Sequence, residues 1–520
     1  MNQIFSWKNL ARAFIALLTF RVCYLFAAYV FSTAGVQRFH LESAAFLFVS
    51  LGFLYRMQAH RFDAGAGARA DAHVVQTSGS GSVALWLAFC VAAFALYRPA
   101  LSIGFLSDDF TLTNHVMAWD IGPMTSELFR PLPLSIWAVL LNIGGGAQIL
   151  HALNILLHGT NAYLTTRFVS GWTVERDWGV LAGLLMLTMP LGPEAVAWCS
   201  GVFDVMATTF IMTAVLLARR YGTSPSVATR FSLVAAGILA LLSKETAAVL
   251  PVLLLIDAWI RKKFSRTLLV DVGVLLALMG TVGAVRLALR FGVTSPPISV
   301  RSIRSALFRS FGSLAFPWHT DVLDASRLLP LIAGLVIIGL VAAFLVHAGR
   351  VSATRAAAGC TAWIVVSILP VFNVFYIAPD LQSSRYLYLS SVGWAALVAT
   401  LGSDVADRHA WSRAIPRAAI LVMATLAIWG VRMHLQPWVE AAGLRDVIDR
   451  AAAQDERLRA CDPVFIRDLP DTVRGAYVFR VGAREELRTT AGLHALPASE
   501  PGPCSFRWDP GSSAFQVIDN

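Results

Sequence analysis

Apolar runs of about 17 to 25 residues recur from Ala11 to His434, separated by short stretches that hold most of the Lys and Arg. Wound as a helix, a run of that length crosses roughly 30 Å of hydrocarbon. Lipid offers the backbone no hydrogen-bond partners, so a chain built from such runs folds as an all-α polytopic membrane protein. Composition agrees, since 57% of the 520 residues are hydrophobic and 14% charged, where a soluble domain carries roughly 25% charge. A single soluble domain is excluded. The net charge of +10 does not point to nucleic acid, because the basic residues cluster between apolar spans in the positive-inside pattern.

Two spans, Ala11 to Ser32 and Leu41 to Arg56, are predicted as an N-terminal hairpin (1–57), followed by a cytoplasmic linker (58–82) rich in Gly, Ala and Ser. A cleaved signal peptide is the rival reading of the first run, since Lys8 and Arg12 precede it, but the run is long and carries Arg21. A core (83–435) follows, with spans at about 83–101, 146–169, 177–191, 194–218, 229–243, 245–260, 267–290, 328–347, 356–378, 386–402 and 415–434. The total is roughly thirteen transmembrane helices. With the N-terminus inside, every basic loop but one falls in the cytoplasm. The exception, Phe291 to Ser326, carries Arg301, Arg304 and Arg309 outside, an inversion that needs a reason, for example an anionic ligand. The same threading places the loop 102–145, the turn 379–385 and the tail 436–520 outside. The tail mixes helix-like and β-prone stretches and reads as a small α/β extracytoplasmic domain.

Six cysteines are too few for a disulfide scaffold, and Cys23, Cys90, Cys199 and Cys360 lie in apolar runs as packing residues. Cys461 and Cys504, both in the polar tail, pair in an oxidising compartment and otherwise stay free thiols.

Unusual polar residues gather on the outer side. Ser107-Asp108-Asp109 follows the span that ends near Ala100. The pair suits a helix cap, or a general base or metal ligand, since adjacent like charges raise one pKa. Arg130-Pro131-Leu132 opens an amphipathic stretch, and His151, Asn154, His158 and Asn161 then fall on one helical face at offsets of 0, 3, 7 and 10. Such a face either bonds neighbouring helices or lines a cavity. His151 and His158, about 10.5 Å apart along the axis, are too distant to share one metal. Glu194 and Asp204, ten residues apart, can face the same way on a helix. Ser243-Lys244-Glu245 interrupts two apolar spans, either as a local ion pair or with Lys244 as a phosphate contact. Arg385-Tyr386 opens a span on the outer side, where the planar fork of Arg suits phosphate or pyrophosphate.

In this order, Arg130-Pro131-Leu132, His151-x-x-Asn154-x-x-x-His158-x-x-Asn161, Pro190 to Asp204, Ser243-Lys244-Glu245 and Arg385-Tyr386-Leu387-Tyr388-Leu389 resemble the GT-C superfamily of polytopic glycosyltransferases. They are most similar to its branch of tetratricopeptide-repeat O-mannosyltransferases and protein O-mannosyltransferases. The resemblance covers about 83–402. It implies an inverting transfer of a sugar from a polyprenyl-phosphate donor to an extracytoplasmic acceptor, a protein hydroxyl or a glycan or lipid. Asp108 and Asp109 take the catalytic position. Arg385, Lys244, Arg301, Arg304 and Arg309 are the candidates for the donor phosphate. Arg130, His151, Asn154, His158, Glu194, Asp204, Glu245 and Tyr386 are the candidates for the substrate cavity. Some members need a divalent metal such as magnesium or manganese and others do not, so a metal at Asp108 and Asp109 stays open. The chain departs from the branch in lacking the 34-residue repeats, and in having Val202 and Phe203 where an Arg usually precedes the aspartate of the Gly-x-x-Asp segment.

A transporter or flippase for lipid-linked sugars is the main alternative. Transporters place coupling carboxylates near the midplane in repeated halves, whereas the acidic pair here sits at the boundary and no repeat is evident. A non-catalytic scaffold presenting the tail is the third reading, and under it Asp108 and Asp109 are dispensable. Ala- and Arg-rich usage suggests a bacterial inner membrane, with the site and the tail facing the periplasm.

Overall fold

The structure is a computed structural model, described over residues 79–121, 129–173, 175–221, 226–288, 300–321, 332, 336–337, 351–371, 377–408, 414–497 and 504–518. The expected N-terminal hairpin, most of the linker and nearly all of the span 328–347 lie outside the described residues. The chain divides into two compact units, 1–96 and 97–520. The first contributes α1 (Gly79–Tyr97), an apolar helix.

In the second unit, α2 (Asp108–Met117) starts with both aspartates in its first turn, where the helix dipole favours negative charge. Then come α3 (Pro131–Asn142), with proline at its start, and α4 (Ala147–Val169). Next are α5 (Arg176–Leu187), α6 (Pro193–Ala197), α7 (Val202–Ala218), α8 (Val227–Ser243), α9 (Leu250–Arg261) and α10 (Arg266–Ala288). The helical part closes with α11 (Val300–Ala315), α12 (Val351–Ile368), α13 (Tyr388–Arg408) and α14 (Ala414–Gln454). Buried Val116, Trp137, Leu150, Val202 and Met206 join α2, α3, α4 and α7 in one apolar core.

Four described helical stretches are long and apolar enough to cross a membrane: Gly81–Ser102, Cys199–Ala218, Ser384–Ala406 and Ala414–Gln454. Three shorter apolar helices accompany them, Pro131–Asn142, Val227–Ser243 and Arg355–Val371. The chain is a multi-pass membrane protein with a mostly helical fold. Two expectations from sequence change in detail. The run 194–218 is not one helix: Trp198 is extended, a 3₁₀ turn follows over Cys199–Gly201, and α7 starts afresh. At Gly201 a Cβ would lie 2.2 Å from the carbonyl oxygen of Ala195, so only glycine permits this close return of the chain. The boundary expected between 435 and 436 falls inside the continuous 41-residue helix α14. The C-terminal domain therefore begins as an extension of a membrane helix.

That domain holds α15 (Glu456–Arg459), β1 (Val464–Arg467), β2 (Thr472–Val473), β3 (Ala476–Tyr477), α16 (Ala483–Ala491), β4 (Ala495–Pro497), β5 (Ser505–Asp509) and β6 (Ala514–Val517). Its four-stranded sheet has the order β4-β1-β5-β6, with β1 parallel to both neighbours and β6 antiparallel to β5. A disulfide joins Cys461 to Cys504. The hairpin β2–β3 turns at Arg474 and Gly475, whose φ values of 47° and 86° suit a tight two-residue turn.

Candidate active site

The two adjacent aspartates have different environments. Asp109 is fully buried. Its Oδ2 accepts from the backbone N–H of Leu106 (3.0 Å), and its Oδ1 accepts from both the N–H (2.9 Å) and the hydroxyl (2.5 Å) of Ser200. Burial pushes its carboxyl up to about 7, against those hydrogen bonds, which favour the charged form. Asp108 is partly exposed, and its one hydrogen bond to a described residue comes from the hydroxyl of Ser107 at 3.1 Å. Of the pair, Asp108 alone is open to solvent, with one of its carboxylate oxygens free of hydrogen bonds to described residues. Among the described residues no group of three or more His, Cys, Asp or Glu is placed to hold a metal ion.

Ser200 and its neighbours form the hub of the site. Trp198 donates from its indole to the carbonyl of Leu106 (3.1 Å) and lies 4.7 Å beneath the Arg385 guanidinium. Arg385 donates to Glu194 Oε1 (2.6 Å), and Glu194 also accepts from the Ser384 hydroxyl (3.1 Å) and the Tyr477 hydroxyl (3.1 Å). Lys244 gives both its short bonds to Asp204 (2.6 and 2.7 Å), and its ammonium stands 4.9 Å from the Tyr386 ring. Glu194 and Asp204 thus leave the broken segment 193–204 toward different cations. Lys244 and Glu245 are not a pair with one another. Glu245 instead holds Arg130 through two bonds of 3.0 and 2.6 Å.

The phosphate candidates differ in what they leave open. The Lys244 side chain is 2% exposed, with Asp204 across it. Arg385 is 18% exposed, and its Nη2 reaches only the Tyr386 hydroxyl, at 3.5 Å. Arg385 therefore keeps donors for a ligand. Arg309 is exposed on α11, and the side chains of Arg301 and Arg304 lie outside the described residues.

The polar face of α4 is occupied by the protein itself. His151 donates from Nε2 to the carbonyl of Gly104 (3.0 Å), and Asn154 donates to that of Trp198 (2.8 Å). His158 donates from Nε2 to the carbonyl of Leu187 (3.0 Å) and accepts at Nδ1 from the Tyr388 hydroxyl (2.6 Å). Asn161 donates to the carbonyl of Val205 (2.9 Å). All four are fully buried. His151 braces the loop before Asp108 and Asn154 the break at Trp198, while His158 and Asn161 tie α4 to the end of α5, to α7 and to Tyr388. Next to Glu194, a cavity of about 20 Å³ lined in part by His319, Ser384, His434 and Arg474 has room for water but not for a sugar.

Sequence reasoning did not find Ser107, Ser200 or Trp198 as site residues, although the motifs around them were legible. Arg445, Tyr477 and Arg480 in the tail carried no signal at all. Arg445 donates to the carbonyls of Ile103 and Phe105, and so grips the same loop from α14.

No family model matches the chain, and no curated protein sequence matches it significantly. The solved structures similar to it include the following two. One is ArnT from Cupriavidus metallidurans in the apo state, at 15% identity and a TM-score of 0.40, with 81% of this chain and 86% of that chain covered. The other is the Archaeoglobus fulgidus oligosaccharyltransferase tethered to an acceptor peptide, at 12% identity and a TM-score of 0.45, with 82% of this chain and 64% of that chain covered.

Proposed function

We propose that the protein is a glycosyltransferase that moves a sugar from a polyprenyl-phosphate donor to a hydroxyl acceptor, with inversion. The observation that carries this reading is Asp108: an accessible carboxylate at a helix start just beyond a membrane span, held by Ser107 and backed by a buried network that ends in Arg385 and Lys244. A general base at that boundary can meet a lipid-borne donor, whose tail stays between helices while its head group reaches water.

In the reaction, the Asp108 carboxylate takes the proton of the acceptor hydroxyl as that oxygen bonds to the anomeric carbon. The bond from that carbon to the phosphate oxygen breaks on the opposite side, and polyprenyl phosphate departs with the electron pair. The open edge of Arg385 stabilises the charge that develops there. Asp109 positions α2 rather than reacting. Lys244 serves mainly to neutralise Asp204. Positive charge between the spans supports a bacterial inner membrane with the site and the C-terminal domain on the periplasmic side, where protein hydroxyls and glycans are the acceptors.

The test is transfer of labelled sugar from a polyprenyl-phosphate donor pool in membranes. Asp108→Asn is expected to lower transfer roughly 100-fold or more with unchanged thermal stability. Asp109→Asn is expected to lower stability, because an amide NH2 turned toward the Leu106 or the Ser200 N–H sets donor against donor and leaves that N–H without its acceptor. Full transfer by Asp108→Asn would refute Asp108 as the base, and transfer equal in membranes with and without the protein would refute the enzyme reading and favour a transporter of lipid-linked sugars.

A further inference from the structure

The C-terminal domain reaches the acidic pair through one short segment. Ser107 donates its backbone N–H to the carbonyl of Val478 (2.9 Å), and the N–H of Val481 donates to the Ser107 hydroxyl (3.2 Å). That hydroxyl in turn donates to Asp108 Oδ1 (3.1 Å). A chain of hydrogen bonds therefore runs from residue 481, through Ser107 at 374 positions' separation, to the candidate base. Gly482 closes the clamp: its φ is +84°, and a Cβ there would lie 2.5 Å from the Ser107 carbonyl oxygen.

Arg480 is carried between those two anchor points. It is exposed, and among the described residues no carboxylate pairs with it. Its guanidinium stands 5.2 Å from the ring of Tyr477, which is itself fastened to Glu194 and Arg385. Packing on an aromatic ring orients the fork and leaves its N–H edge open. The charge balance gives that edge a use. Arg385, Lys244 and Arg130 are matched one for one by Glu194, Asp204 and Glu245, so those pairs sum to zero and Asp108 leaves the rim negative. A phosphate monoester arriving beside Asp108 therefore has only the open edge of Arg385, itself paired with Glu194, to offset its charge unless a further cation faces it.

Building on the glycosyltransferase reading, we propose that Arg480 binds the phosphate of the prenyl-phosphate ligand, so that the C-terminal domain contributes a ligand-binding residue to the site beside Asp108. The donor and the departing lipid phosphate present the same group to it.

The experiment measures binding of farnesyl phosphate, farnesol and inorganic phosphate to the full-length protein in detergent. Unaltered protein, Arg480→Gln, Arg480→Lys and, as a control on the same domain, Arg488→Gln are compared. Arg480→Gln is expected to weaken farnesyl phosphate binding roughly tenfold, with farnesol unchanged, partial recovery in Arg480→Lys and no effect of Arg488→Gln. The assignment is overturned if Arg480→Gln binds farnesyl phosphate like the unaltered protein, or loses farnesol equally. Inorganic phosphate binding as tightly as farnesyl phosphate also overturns it, since the site would then take free phosphate. If the unaltered protein binds no farnesyl phosphate, the donor reading falls together with this one. If it binds and only the Arg480 effect is missing, the donor reading stands and the inference alone fails.

Discussion

The polar face of α4 and the rim around Asp108 are built from similar residue types, yet they end in opposite states. Along α4, His151, Asn154, His158 and Asn161 spend their donors on backbone carbonyls of four other segments and are wholly buried. At the rim, Asp108, Arg385 and Arg480 each keep an edge without a protein partner among the described residues. In a membrane chain, polarity alone does not mark function, because lipid drives interior polar groups toward protein partners. What distinguishes the two regions is exposure: the capacity left over on α4, at Oδ1 of Asn154 and Asn161, is sealed inside, whereas that of Asp108 and Arg480 is open.

This comparison can be broken at its interior side. The largest effect is expected at the buried Lys244–Asp204 pair: Lys244→Met strands a carboxylate and should cost about 3–5 kcal/mol, read as a drop in melting temperature in detergent. Replacing both partners, Lys244→Met with Asp204→Leu, should restore much of that loss. A Lys244→Met protein with unchanged melting and abolished sugar transfer would move Lys244 from the interior set to the rim. Next in size, His158→Phe removes the side-chain donor to the Leu187 carbonyl and the acceptor of the Tyr388 hydroxyl proton, at about 1–3 kcal/mol, again in melting rather than in turnover per folded molecule.

A third change sharpens the contrast through pH. Glu486 on α16 is fully buried beside Arg445, at 3.8 Å, and burial together with the nearby Asp449 pushes its carboxyl up to about 10. Raised above the unfolded value, the group holds its proton in the folded state across neutral pH. The folded state then binds more protons than the unfolded one, so stability falls as pH rises from about 4.5 toward 10. Glu486→Gln removes that slope. The smallest difference from the unaltered protein is expected near pH 5, with the Gln variant becoming the more stable as pH climbs toward 8. Melting curves at several pH values check this, and parallel curves for the two proteins would contradict it.

Much of this was legible in sequence, and the remainder failed for identifiable reasons. The one-face spacing of His151, Asn154, His158 and Asn161 predicted a shared environment correctly, because helical periodicity is local. It did not distinguish a bonded interior from a cavity lining, since that depends on the carbonyls of Gly104, Leu187, Trp198 and Val205 arriving opposite. The run 194–218 read as one span because hydropathy does not register a backbone break. The extended Trp198 and the close return at Gly201 come from packing. Lys244 and Glu245 looked like a local pair, and the fold gave each a partner 40 or 115 positions away.

By itself, the amino-acid sequence determined that the chain lives in a membrane as helices, where the acidic pair and the cationic residues fall relative to the spans, and which two cysteines can pair in the tail. Those conclusions follow from segment length, hydropathy and charge, which neighbouring residues settle among themselves. Only the tertiary structure decided that Asp109 is a brace and Asp108 the open carboxylate, and that the segment carrying Arg480 is held against Ser107. The reason is physical: two adjacent aspartates are chemically identical until one meets the N–H and hydroxyl of Ser200, and a tail residue gains a role only when Ser107 holds its segment in place.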